Sequence, residues 1–271
     1  MKKFITPVRQ DKAEKKKYRW QVAITTLVLF IFSAIINIPF SREVKRLGLE
    51  MGRTDVNLSD SISDDLLAVV TSSSVLGAIL LFTGLRLSSG ANLGVPILAR
   101  IFSEKKVGEL ISWKSIFSSL LLAAFVALLL LGLFEIQQEF YPIEGKMSRP
   151  GKLYYALVSF SAGISEEIII RLGLMSFIIS VILFFSNRDK PSNKMIWTGI
   201  FISALFFGLL HLPLSKNFVE LIPFTVAVTL IGNFITGSLF GWIFWKQGLL
   251  VAILSHIVFD LVFHVLGSPY T

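Results

Sequence analysis

Two adjacent glutamates and an arginine lie inside a long apolar stretch. Glu166 and Glu167 are followed four positions later by Arg171, within residues 153–185. An ionised carboxylate at bilayer depth costs about 2.5–3.5 kcal/mol on insertion scales, so such a residue is rare there and marks a functional site. Two neighbouring carboxylates in a low-dielectric site cannot comfortably both be ionised, which suits a general acid or base. The pattern indicates proton-transfer chemistry within a membrane.

Two later apolar segments carry further polar groups at one-turn spacing. Phe207 precedes His211 by four residues, His256 precedes Asp260 by four, and His264 extends that second stripe by another turn. Residues four apart lie on the same face of a helix. An isolated structural ion pair would not require histidines and an aspartate in two further helices, so we expect these groups to converge.

The same geometry separates the two glutamates. Glu167 and Arg171 have the acid on the N-terminal side at i and i+4, the favourable orientation for an ion pair. Glu166 is turned about 100° away at 3.6 residues per turn. We therefore expect Arg171 to neutralise Glu167 while Glu166 faces elsewhere.

Composition predicts the elements that hold these residues. The chain of 271 residues is 54% hydrophobic and only 16% charged, with mean hydropathy +0.71. A membrane-spanning helix needs about 20 apolar residues. Seven segments qualify, and we predict an all-α polytopic bundle of seven to eight spans over 21–41, 66–85, 115–134, 153–185, 196–215, 221–245 and 247–266.

Two regions leave the helix count open. The stretch 153–185 would be about 50 Å long as a straight helix, against a hydrocarbon core of roughly 30 Å. It is expected to tilt, to kink near Gly163, or to split and make eight spans. The loop 88–103 begins with turn residues and suits an interfacial or re-entrant piece better than a span.

Basic residues predict the orientation. With the N-terminus cytoplasmic, seventeen Lys and Arg residues fall on that side against eight on the other. The N-terminal run is longer and more charged than a signal-peptide n-region, so we expect an uncleaved first span. The net charge of +8 resides mostly in this region, whose nearer partners are anionic lipids rather than nucleic acid.

The first three apolar windows contain no ionisable side chain, whereas the later ones carry all the groups described above. This contrast predicts a basic cytoplasmic tail at 1–19, scaffold helices at 20–149 and a catalytic core at 150–271. The absence of cysteine excludes disulfides and thiolate metal sites.

The ordered set Glu166-Glu167-x-x-x-Arg171, Phe207-x-x-x-His211 and His256-x-x-x-Asp260 resembles the CPBP intramembrane protease family. That family includes the CAAX prenyl endopeptidases of the Rce1 type and the bacterial Abi or bacteriocin-processing proteins. The resemblance covers roughly residues 150–265. Each motif alone is weak, and their order makes the resemblance specific.

The resemblance implies endopeptidase activity inside the bilayer on a membrane-associated peptide or a lipidated, prenylated protein. By position, Glu166 would be the general base, Glu167 a second carboxylate held by Arg171, and His211 the partner that helps bind the water. His256 and Asp260 would polarise the scissile carbonyl. Many members have asparagine at the last position, and an ionised aspartate would repel an oxyanion. Asp260 would therefore be protonated, accept a hydrogen bond that orients His256, or bind a metal.

Zinc is an open alternative to glutamate-type catalysis. Family members are commonly called metalloproteases, and zinc prefers nitrogen and oxygen ligands of the kind that Glu166, Glu167, His211 and His256 could supply. The sequence has no His-Glu-x-x-His pair on one helix, so the ligands would have to come from three helices.

Two other function classes use the same groups. A proton- or ion-coupled transporter or channel would use them as a relay, but no internal repeat is visible. A non-catalytic membrane scaffold or immunity protein is the third reading. We expect an integral, multi-pass protein in every case, located in the plasma membrane if the source is bacterial.

Overall fold

The structure is a computed structural model that describes residues 5–8, 11–59, 61–90 and 93–267. Within these ranges the chain is helical, and an isolated bridge between Gly145 and Val219 is its only β pairing. The helices are α1 (Lys12–Lys17), α2 (Arg19–Ile36), α3 (Ile38–Glu50), α4 (Ile62–Gly90), α5 (Pro96–Ile101), α6 (Trp113–Phe140), α7 (Lys152–Glu166), α8 (Ser176–Phe184), α9 (Asn193–Phe218), α10 (Pro223–Gln247) and α11 (Leu249–Asp260).

Seven helices in the described ranges are long and apolar enough to cross a membrane, which confirms the predicted polytopic bundle. Residues 153–185 form one span, since α7 and α8 join through an intervening helical segment. The stretch therefore does not split into two spans, and the count is seven rather than eight in the described residues. The spans are Arg19–Glu50, Ile62–Ser88, Trp113–Phe140, Lys152–Phe184, Asn193–Phe218, Pro223–Gln247 and Leu249–Leu266.

A π-helical segment, Glu167–Met175, connects α7 to α8. In a π-helix each amide pairs with the carbonyl five residues back, and such segments occur frequently at functional sites. The Ser176 hydroxyl donates to the Arg171 carbonyl, also five residues back, at 3.1 Å. The helix thus departs from α geometry just after Gly163, at the glutamate pair.

The N-terminal segment and the loop after α4 close one end of the bundle. The Val8 amide donates to the Lys246 carbonyl at 2.7 Å, and the Thr6 amide donates to the Ser115 hydroxyl at 2.9 Å. Helix α5 is too short to span a membrane, and the Leu249 amide anchors the preceding loop by donating to the Gly94 carbonyl at 3.1 Å. The loop is thus not a span, as predicted, although residues 91 and 92 lie outside the described residues.

Small residues let the site-bearing helices approach closely. A Cβ on Gly208 would lie 3.3 Å from the Leu230 carbonyl oxygen of α10, which agrees with the close approach that glycines permit in membrane helices. A Cβ on Gly163 would lie 3.2 Å from the Ile257 amide nitrogen of α11. The backbones of α7 and α9 therefore pack against the helices that complete the site.

Gly84→Ala is expected to destabilise the protein by about 1–3 kcal/mol, the usual cost of overpacking. The new Cβ would lie 2.8 Å from the Leu172 carbonyl oxygen of the π-helical segment, where backbone would have to move. Gly132→Ala is the matched control, because nothing lies within 4 Å of its Cβ position. Denaturant unfolding in detergent should show a loss only for Gly84→Ala, and equal effects of the two changes would contradict this packing.

Candidate active site

Glu167 is the buried centre of the site. Its side chain has no exposed surface, and Arg171 Nε donates to its Oε2 at 3.2 Å. His256 Nδ1, from α11, donates to its Oε1 at 3.0 Å. The carboxylate therefore joins the π-helical segment to α11, and its pairing with Arg171 agrees with the expected geometry.

Glu166 faces a different space, and its side chain is partly exposed although its Oε2 is buried. Its side chain is 29% exposed, and its Oε2 lies 3.8 Å from His256 Nε2 and 3.9 Å from His211 Nε2. This oxygen has no hydrogen-bond partner among the described residues. Polar groups separated by more than 3.5 Å are commonly bridged by a water molecule. The gap between one carboxylate and two imidazoles suits such a water.

The His211 ring is oriented by its own helix. Its Nδ1 lies 2.8 Å from the Phe207 carbonyl oxygen, and a carbonyl can only accept, so Nδ1 carries the proton. Nε2 is then directed toward Glu166 and can accept a hydrogen bond. The side chain is 26% exposed, which keeps it reachable from outside the bundle.

Aromatic rings fix the two imidazoles. Phe240 of α10 stacks on His256 with centroids 4.5 Å apart and planes 17° apart. Phe207 lies edge-on to His211 at 4.5 Å, and the Arg171 guanidinium carbon lies 5.2 Å from the centre of the same ring. Sequence reasoning missed Phe240, since nothing distinguishes it from the other 23 phenylalanines.

Asp260 lies beside the outer nitrogen of His256. Its Oδ2 is 3.6 Å from His256 Nε2, and the residue is 7% exposed. His256 thus has the carboxylates of Glu166, Glu167 and Asp260 around it. Nδ1 is committed to Glu167, so a substrate oxygen could be reached only from Nε2.

His264 does not join this cluster. Its ring stacks on Tyr155 of α7, with centroids 5.3 Å apart and planes 8° apart. It lies in a second π-helical segment, Leu261–Leu266, which extends α11. The structure therefore brings together all seven predicted site residues. His264, which follows them on the same helix face, lies outside the cluster.

The residues present do not fit a zinc ion in this arrangement. No group of three or more His, Asp or Glu side chains in the described residues is arranged to hold a metal. Glu167, one of the four candidate ligands, already receives hydrogen bonds from Arg171 and His256.

Comparison with known proteins adds one finding. Residues 149–262 match the family model described as type II CAAX prenyl endopeptidase Rce1-like. Comparisons with curated proteins and with solved structures gave no significant match. The matched segment contains Glu166, Glu167, His211, His256 and Asp260. Residues 149–262 are therefore similar to the Rce1-like family, which supports a place within the CPBP/CAAX group of membrane proteases.

Proposed function

We propose that this chain is a glutamate-type intramembrane endopeptidase that cleaves a membrane-associated peptide. One observation carries the proposal: the free Oε2 of Glu166 faces the Nε2 atoms of two histidines from two other spans at 3.8 and 3.9 Å. A carboxylate with an imidazole acceptor can hold and deprotonate a water molecule. The family acts on prenylated membrane proteins in general.

In the first step, Glu166 and His211 bind the attacking water. Glu166 removes one proton as the water oxygen bonds to the scissile carbonyl carbon, and the carbonyl π electrons move to oxygen. Glu167 stays buried and paired with Arg171, so it orients His256 rather than exchanging protons with substrate.

In the second step, the tetrahedral oxyanion is stabilised from the side of His256. With both ring nitrogens protonated, Nε2 donates to the oxyanion, and one such preorganised donor is worth about 2.7–4 kcal/mol of barrier. Glu166 then returns its proton to the leaving nitrogen as the carbon–nitrogen bond breaks. Phe240 and Phe207 hold the ring planes throughout.

The direct test is cleavage of a prenylated peptide by purified protein in proteoliposomes. We expect cleavage, with chelator-treated protein fully active. Zinc that survives chelation and is lost in His211→Ala would contradict glutamate-type catalysis. An absence of hydrolysis of any membrane-associated peptide would count against the enzyme assignment itself.

Asp260→Asn is expected to retain activity and to move the alkaline limb of the pH profile to higher pH. We propose that a protonated Asp260 also donates a hydrogen bond to the oxyanion, so wild-type activity should fall as rising pH removes this proton. The amide of the variant donates at every pH, which leaves only His256 to limit activity at high pH. Asp260→Ala should lower kcat about 10²–10³-fold, as removal of one oxyanion donor does.

The measurement is kcat against pH for the wild type and both variants. An unchanged alkaline limb in Asp260→Asn, or an inactive Asp260→Asn protein that is correctly folded, would mean that the carboxylate instead acts as an acceptor that positions His256.

A further inference from the structure

A polar groove that includes no residue of the catalytic cluster lies between the ends of α4 and α8. It has a volume of about 530 Å³ and is lined by Arg86, Leu87, Ser180, Leu183, Phe184, Asn187, Arg188 and Asp189. The Ser180 hydroxyl donates to the Leu87 carbonyl at 3.2 Å, which ties the two walls together. The groove is therefore a packed junction between two spans.

Two guanidinium groups in this groove form no ion pair within the described residues. Arg86 and Arg188 are both exposed. In the described part of the chain the arginines that form ion pairs are others, namely Arg42, Arg46, Arg53, Arg100 and Arg171. A guanidinium presents paired N–H donors that match phosphate oxygens. With Asp189 also present, the groove carries one net positive charge and suits a single anionic group.

The groove is charged at one end and apolar at the other, as a phospholipid is. Arg86 lies at the end of the span Ile62–Ser88, and Arg188 lies four residues beyond the span Lys152–Phe184. Both arginines are therefore at headgroup level. Toward the bilayer the walls are apolar, and Phe184 is 80% exposed. Helix α4 ends at the same end of the bundle as the N-terminal segment, to which the positive-inside rule assigns the cytoplasmic leaflet.

We propose that this groove is a binding site for an anionic phospholipid. The two arginines bind the headgroup phosphate, Asn187 and Ser180 supply further polar contacts, and the acyl chains lie along Leu183 and Phe184. Basic pockets between membrane helices are known to select anionic lipids in this way. The site is independent of the proposed peptidase activity, so either can fail without the other.

Short-chain phosphatidylglycerol titrated into detergent-purified full-length protein tests the site, with binding read by calorimetry. Each basic residue near an anionic headgroup contributes about fivefold to affinity, so Arg86→Gln with Arg188→Gln should weaken binding about 30-fold, and each single change about fivefold. Asp189→Asn should strengthen binding. Lys190→Gln is the matched control, because it removes a charge from the same loop but not from the groove.

The comparison ligands are short-chain phosphatidylcholine and inorganic phosphate. The proposal requires saturable binding of phosphatidylglycerol, with phosphatidylcholine and free phosphate much weaker. Equal binding of the two lipids, or of phosphate alone, would overturn it. If Lys190→Gln lost as much affinity as the arginine variants, the binding would depend on general surface charge and not on this groove. That result would also overturn the proposal. If the double variant does not fold, the single variants and Asp189→Asn give the same decision.

Discussion

Glu166→Gln is expected to lower kcat for peptide cleavage by about 10²–10⁴-fold, the range contributed by a general base, with the fold intact. The amide has nearly the same shape as the carboxylate but cannot accept the proton of the attacking water. Glu166 Oε2 has no hydrogen-bond partner in the described residues, so the exchange removes no hydrogen bond that this oxygen makes within the bundle. The measurement is single-turnover cleavage in proteoliposomes beside a thermal unfolding midpoint.

Glu135→Gln is the matched control for this experiment. Glu135 is also a glutamate within a spanning helix, but it is exposed on α6 and absent from the cluster. The Glu135→Gln protein should cleave substrate like the wild type. Full turnover by a correctly folded Glu166→Gln protein would contradict the proposed catalytic role of Glu166 and the glutamate-type hydrolase.

Arg171→Ala is expected to reduce the free energy of unfolding by about 3–5 kcal/mol, because it leaves the Glu167 carboxylate buried without its guanidinium partner. Both side chains have no exposed surface, so solvent cannot compensate for the lost partner. The Arg171 guanidinium also covers the Phe207 ring, and truncation removes that contact. Denaturant titration in detergent, followed by intrinsic fluorescence, measures the change.

Two comparisons decide whether charge is the cause. Glu167→Gln combined with Arg171→Met removes both buried charges and should cost less than Arg171→Ala alone, since no charge is left unpaired. Arg46→Ala breaks ion pairs with Glu43 and Glu50, but the Arg46 side chain is 48% exposed, so the change should affect stability much less. Equal losses from Arg171→Ala and Arg46→Ala would contradict a buried ion pair.

The pairing of Glu167 with Arg171 and the freedom of Glu166 could be predicted because both depend on local helix geometry. The π-helical segment at Glu167–Met175 could not, since an apolar run has the same composition in α and π form. The stack of Phe240 on His256 could not be predicted either. It joins α10 to α11, and it depends on how each helix is rotated about its axis. The predicted boundaries at 19 and 149 and the cytoplasmic N-terminus stay predictions.

The sequence alone determined that the chain forms apolar helices long enough to cross a membrane, and which ionisable side chains lie within them. Without water in the bilayer core a chain must pair its backbone N–H and C=O groups internally, which favours helices. Charged side chains are costly there and are therefore rare, so those present mark candidate functional sites. Only the tertiary structure decided that Glu166 faces both histidines, that His264 lies apart with Tyr155, and that Arg86 meets Arg188 in one groove. These contacts join residues far apart in the chain, and they depend on how helices rotate and pack, which hydrophobic periodicity does not encode.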